Sequence, residues 1–202
     1  MATHEATAPR EEHHTSTGLD NVKLAMWAFL GSECLFFGSL ISTYILYRNN
    51  VVDGPTPHEI YDIPFTSVSS FVLLMSSLTM VLALSAIQRK DMSGFRVWIL
   101  ATAMLGMMFV GGQIYEFSTF VEEGLKLSTS TFGSSFFLMT GFHGAHVTVG
   151  IFMLLALFGM STFGKFDDGD GPRKVELIGL YWHFVDIVWI IIFTVVYLIP
   201  TN

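Results

Sequence analysis

Polar and apolar positions along the chain sort into five long apolar runs separated by short polar stretches. Each run is long enough for the roughly 20 helical residues that cross a hydrocarbon core of about 30 Å, where the backbone has to satisfy its own hydrogen bonds. The pattern predicts spanning helices over 22–47, 65–87, 95–120, 132–163 and 175–199. The connections 48–64, 88–94, 121–131 and 164–174 are polar and rich in turn formers; the first holds three prolines and the last holds the run Asp167, Asp168, Gly169, Asp170, Gly171, Pro172. None is long enough for a second domain. The expected fold is all-α: a polytopic membrane protein with a five-transmembrane-helix bundle over 22–202.

Residues 1–21 are polar, contain acidic residues and have no apolar core, so they fit neither a secretory signal nor a transit peptide and are expected to be a disordered cytoplasmic tail. His13 and His14 could hold a metal there, but a solvated histidine pair in such a tail usually has no role. An odd number of spans puts the termini on opposite sides, and basic residues choose the sides. Arg10, Lys23, Arg89, Lys90, Arg96, Lys165, Arg173 and Lys174 fall on one face, against Arg48 and Lys126 on the other. The N-terminus is therefore expected in the cytoplasm and the C-terminus outside, periplasmic or extracellular.

Composition agrees with lipid: 51% of residues are hydrophobic and only 13% charged, about half the soluble average. The net charge of −7 argues against a nucleic-acid partner. The single cysteine, Cys34, allows no disulfide and no cysteine cluster within the chain.

The informative residues are those that are expensive in lipid, since a charge at a helix centre costs on the order of 3 kcal/mol or more. Glu33 stands alone in the first run, about ten residues in and so within the inner half of the bilayer. It suits either proton exchange or hydrogen-bonded glue between helices. Gln113, Tyr115 and Glu116 cluster toward the outer end of the third run beside Gly111 and Gly112, which would admit a neighbouring backbone, and packing or capping is the simpler role there. His143 and His146, three apart on the fourth run, could ligate a metal or a haem iron, but no second helix supplies a matching ligand set. Interhelical hydrogen bonding suits them better. In the fifth run Glu176 and His183 are seven apart and His183 and Asp186 three apart, a spacing that predicts one polar stripe facing protein or water and suited to a proton relay or a static network.

Four blocks, WAFLGSECLFF, QIYEF, GFHGAHVTVG and YWHFVDIVW with Glu176 seven residues before its histidine, together resemble subunit III of cytochrome c oxidase. They keep that family's order and spacing from Lys23 to Pro200. The resemblance implies the five-helix bacterial form of a haem-copper oxidase subunit, placed in the plasma membrane. It also implies no haem, copper or other cofactor in this chain, direct packing on the catalytic subunit I, subunit II as a further partner, and bound phospholipid. The implied role is to stabilise subunit I and support proton uptake, with Glu33 matching the family's carbodiimide-reactive carboxylate. His143, His146, Glu176, His183, Asp186 and Glu116 fall in its motif blocks as proton-handling or network positions, and no catalytic residue is expected. Quinol oxidases have a similar subunit III, including a GPTPHEIYDIPF-like loop and an FTVVYL-like ending; Glu33 and the Glu176 to His183 spacing lean toward cytochrome c as donor. An autonomous transporter would want an internal repeat with broken helices, which is not visible. A membrane haem protein would have to use His143, His146 or His183 as axial ligands.

Overall fold

The computed structural model describes residues 20–48, 62–125, 127, 130–164, 166 and 170–199. The tail with His13 and His14, most of the connection 48–64, and Lys126, Lys165, Asp167 and Asp168 lie outside them. The described residues form five long helices, α1 (Asn21–Tyr47), α2 (Ile63–Gln88), α3 (Met92–Glu122), α4 (Thr131–Thr162) and α5 (Gly171–Phe193), and α5 ends in a π-helical turn, Thr194–Leu198. All five are long and apolar enough to cross a membrane.

Helix starts are set by caps rather than by the onset of apolarity. Asp20, Asp62, Asp91 and Ser130 each accept a hydrogen bond from a first-turn N–H, those of Val22, Phe65, Gly94 and Gly133 respectively. Pro64 and Pro172 occupy first turns, where the missing N–H costs nothing. Consequently α2 and α3 begin two and three residues before the predicted spans, because a capped helix emerges past the apolar slab it crosses, and α5, with Pro172 in its first turn, begins four residues before. Between α2 and α3 the chain reverses through Lys90, whose φ of 61° is left-handed. The Asp91 N–H bonds to Ala86 O at 3.0 Å and the Lys90 N–H to Ile87 O at 3.0 Å, closing the end of α2.

Helices α2, α3, α4 and α5 pack in a closed cycle, and α1 lies outside it against α4 and α5. It is the least enclosed of the five. The antiparallel register of α2 and α5 is fixed by a ladder of contacts: Ile87 beside Gly171, Met80 beside Gly179, Ser76 to Trp182, Ser77 to His183, and Ser70 to Trp189. Trp182 is the central wedge. It is fully buried, donates to Ser76 Oγ at 2.9 Å, and lies against Gly106 of α3 and Gly150 of α4. Only a residue without a side chain leaves room for the indole at those two positions.

At the inner ends predicted from the basic residues, α1 is tied to α5 twice. Lys23 Nζ lies 2.5 Å from Glu176 Oε1, and Arg173 donates to Asp20. Desolvation at the helix start opposes the charged Asp20, but the Val22 N–H and Arg173 outweigh it and hold its carboxyl below the ordinary value.

Candidate functional site

Glu33, alone on α1 in sequence, meets His146 of α4, with Oε2 3.2 Å from Nε2. The other ring nitrogen, Nδ1, lies 2.7 Å from the carbonyl oxygen of Phe142. A carbonyl only accepts, so Nδ1 carries a proton, and the Nε2 to Glu33 contact then needs one more proton between its two atoms. Either Glu33 donates as a carboxylic acid or His146 donates as an imidazolium. In this geometry one proton bridges the two atoms, and about a fifth of each side chain is still exposed. Phe37 packs edge-on against His146 with centroids 5.0 Å apart, and Tyr181 of α5 donates to the His146 carbonyl at 3.0 Å. Three helices therefore fix the position of this imidazole.

His143, one turn away, takes a different environment. It is fully buried, stacks near Trp189 at 4.9 Å and meets Phe109 edge-on at 5.8 Å, and its Nε2 lies 3.2 Å from the carbonyl of Val185. Its Nδ1 is buried with no hydrogen-bond partner among the described residues. The two histidines do not converge on a common point: one serves the α3, α4 and α5 core and the other the α1 interface. Among the described residues no group of three or more His, Cys, Asp or Glu side chains is placed to hold a metal ion. Cys34 is exposed on α1.

The stripe expected on α5 divides. Glu176 is taken by Lys23 of α1, whereas His183 turns to α2, where its Nδ1 lies 2.5 Å from Ser77 Oγ. Asp186 is enclosed at 3% exposure, and neither carboxyl oxygen has a hydrogen-bond partner among the described residues. The division follows from packing, since α5 lies between α1, which meets it from Arg173 to Phe184, and α2, which runs beside it from Gly171 to Trp189.

Glu116 is more enclosed than Glu33, although it lies nearer a helix end. It is 6% exposed and accepts from the Thr66 hydroxyl of α2. Gln113 donates to Thr140 O of α4 at 2.8 Å, so α3 is stitched to both neighbours. Tyr115 points outward. Close approach is not made at Gly111, which has open space, or at Gly112, where contacts are ordinary; it occurs at Gly106, Gly144 and Gly150. The sequence reading passed over Ser70, Ser76 and Ser77, which supply the polar partners of α5. Their signal was present as hydroxyls at helical spacing along one apolar run, but serines also bond their own helix, so composition does not reveal which reach across.

Comparison with known proteins agrees with this arrangement. Residues 3–200 match the family described as Cytochrome c oxidase subunit III. The chain is 38% identical to "Quinol oxidase subunit 3" of Bacillus subtilis (strain 168) over 187 residues, covering 93% of this chain and 91% of the relative. It is 39% identical to "Cytochrome c oxidase subunit 3" of Bacillus sp. (strain PS3) over 178 residues, 88% of this chain and 86% of that one. "Probable quinol oxidase subunit 3" of Staphylococcus saprophyticus is 38% identical over 178 residues, 88% of each. With nearly the whole chain matched and five membrane-spanning helices in place, this protein belongs to the cytochrome c oxidase subunit III family, as subunit III of a haem-copper terminal oxidase.

Proposed function

We propose that the chain is a non-redox accessory subunit of a bacterial, proton-translocating terminal oxidase, packed on the catalytic subunit I with subunit II in the same complex. It stabilises subunit I, helps bring protons to it and carries phospholipid against its outer helices. The observation that carries this reading is the Glu33 and His146 pair. A proton-sharing carboxylate and imidazole between α1 and α4, on the least covered helix of the bundle, suits exchange with a neighbouring subunit better than a sealed structural contact does. The engagement of His143 with Val185, His146 with Glu33 and His183 with Ser77 supports packing and proton handling over axial haem ligation. The exposed apolar flank of α1, including Trp27, Leu35 and Leu46, supports contact with lipid or with a partner helix. The basic-residue asymmetry supports a cytoplasmic N-terminus and an outside C-terminus.

Cytochrome c is the donor in the first reading. Quinol is the second, favoured by the names of the Bacillus subtilis and Staphylococcus saprophyticus relatives. The test is purification through a tag on this chain in mild detergent. Haem-containing large subunits should travel with it in fixed proportion, and the complex should consume oxygen with reduced cytochrome c. Oxidation of a quinol alone would establish the second reading. Recovery of the chain without haem subunits would overturn both.

A further inference from the structure

Helices α2 and α3 form a hairpin that the Lys90 turn closes at one end. Among the described residues, side-chain hydrogen bonds join the two helices at two levels. Thr79 meets Thr102 at 2.8 Å toward that turn, and Thr66 meets Glu116 at the far end, where α2 begins and α3 nears its close. Between these levels an apolar groove of about 150 Å³, with Phe65, Val72, Met108 and Gly112 in its walls, leaves the seam incompletely packed. Thr66 is fully buried and Glu116 nearly so. Their contact is thus the polar fastening at the open end of the hairpin.

The Thr66 hydroxyl carries one proton and has two oxygens against it. Its Oγ1 lies 2.9 Å from the carbonyl oxygen of Asp62, one turn back, and also meets Glu116 Oε1. Neither a carbonyl nor a carboxylate donates, so both contacts are hydrogen bonds at once only when Glu116 is a carboxylic acid. Its O–H then donates to Thr66 Oγ1, and the Thr66 hydroxyl donates to Asp62 O. When Glu116 gives its proton to the solution, the Thr66 hydroxyl has to turn to the carboxylate. One of the two hydrogen bonds is lost, and a charge is left in an enclosed site. We propose that Glu116 and Thr66 are a proton-operated latch, which holds the open end of the α2 and α3 hairpin closed in acid and releases it as the pH rises and Glu116 ionises.

Protons reach the latch from the end of the bundle. Asp62 is exposed one turn from Thr66, and Glu116 lies less than two turns from the last residue of α3, Glu122. The titratable groups that face Glu116 are Asp62, whose carboxylate is engaged by the Phe65 N–H at 3.1 Å, and Tyr197 of the π-helical turn, with Tyr44 of α1 beside that tyrosine. From α4 this part of α3 meets Phe136, Phe137 and the carbonyl of Thr140, which do not titrate. Asp62 is an anion and opposes an ionised Glu116, so it acts in the same direction as the lost hydrogen bond. The latch goes beyond the role proposed above and depends neither on the electron donor nor on the Glu33 and His146 pair.

The test is amide hydrogen exchange, read by mass spectrometry, on the purified oxidase complex in mildly acidic and mildly alkaline buffer, with the chemical exchange rate at each pH divided out. Protection of 66–72 and 112–120 should fall by about tenfold in alkaline buffer, the order set by one hydrogen bond, while that of 76–84 beside Thr102 should not change. Glutamine keeps a donor to Thr66 in every buffer, so Glu116→Gln should hold the acid level of protection in both. Thr66→Val keeps the shape without the hydroxyl and should be poorly protected in both, and Thr66→Ser should restore the pH response, so the conclusion does not depend on one variant assembling. Infrared spectra of the same samples should show a carboxylic-acid band in acid that Glu116→Gln removes. An equal alkaline loss of protection in the parent and in Glu116→Gln, a Thr66→Val complex that still responds to pH as the parent does, or the absence of that band overturns the latch. Haem content and oxygen consumption report separately on the oxidase assignment.

Discussion

Placing one methyl group on Gly150 should loosen the bundle at its centre. A Cβ built there lies 2.8 Å from Cε3 and from Cζ3 of Trp182 and 3.3 Å from Cε1 of Tyr181. Favourable carbon contacts lie near 3.5 to 4.0 Å, so relief requires a movement of roughly 1 Å. Trp182 has nowhere to go. Its indole N–H is held 2.9 Å from Ser76 Oγ, and its far edge already lies where a side chain on Gly106 would be, with a Cβ built there 2.7 Å from Cη2. The strain therefore falls on the spacing of α4 and α5. Overpacking of this kind costs about 1–3 kcal/mol, against a gain of up to about 1 kcal/mol from replacing a helical glycine by alanine. A net loss of about 0–2 kcal/mol is expected for Gly150→Ala, which places it about 1–3 kcal/mol below a glycine-to-alanine change that meets no clash. On the same helix Gly159 has open space around its missing side chain, so Gly159→Ala should be neutral or slightly stabilising. Unfolding of the purified complex with increasing denaturing detergent, followed by release of this subunit, measures both. Adding Trp182→Phe should recover part of the loss in Gly150→Ala, with a coupling of about 0.5–3 kcal/mol in a double-mutant cycle. Equal midpoints for Gly150→Ala and Gly159→Ala would refute the wedge, as would strict additivity with Trp182→Phe.

Ser76→Ala should cost about 1–3 kcal/mol in the same assay, because it leaves the buried Trp182 N–H without its acceptor; Ser39→Ala, on an exposed stretch of α1 and bonded only to its own helix, should cost much less. The Lys23 and Glu176 pair is substantially exposed, so Lys23→Ala should change stability by about 1 kcal/mol or less and the difference should shrink in high salt, while the exchange Lys23→Glu with Glu176→Lys should recover it. Because Asp20 is held below its ordinary value, its contribution to the α1 and α5 contact is present above the unfolded-state value and is lost as pH falls through the lower folded-state value; an Asp20→Asn complex should lack that acid limb in a pH series of subunit retention. Glu33→Gln keeps the shape of the contact to His146 and removes the shared acidic proton; initial oxygen consumption should stay near that of the parent while proton release per electron falls or activity decays sooner during turnover, and immediate loss of activity with haems intact would contradict the accessory role.

Much of this protein was legible without coordinates because the membrane imposes strong and simple rules. Length and apolarity fixed five helices, since no other arrangement of those runs satisfies the backbone in lipid, and the caps at Asp20, Asp62, Asp91 and Ser130 mark starts that a reading of apolarity alone places a few residues late. The ionisable residues at depth were also visible as a set, because each is costly and therefore conspicuous. Their partners were not. Glu33 and His146 are separated by more than a hundred residues, and nothing in either local stretch indicates that α1 lies against α4 rather than beside α2. The histidines at 143 and 146 share a helical face by spacing, yet tertiary packing sends one into the core and the other to the periphery, because the face is wide enough to be divided between neighbours. The α5 stripe is divided in the same way, with Glu176 going to α1, His183 to α2, and Asp186 enclosed with no hydrogen-bond partner among the described residues. Helix formation in lipid is a local property that periodicity and length report. Which polar atoms meet depends on the order and register of whole helices, set by Trp182 between its two glycines and by the serines of α2, and that information exists only once the bundle is assembled.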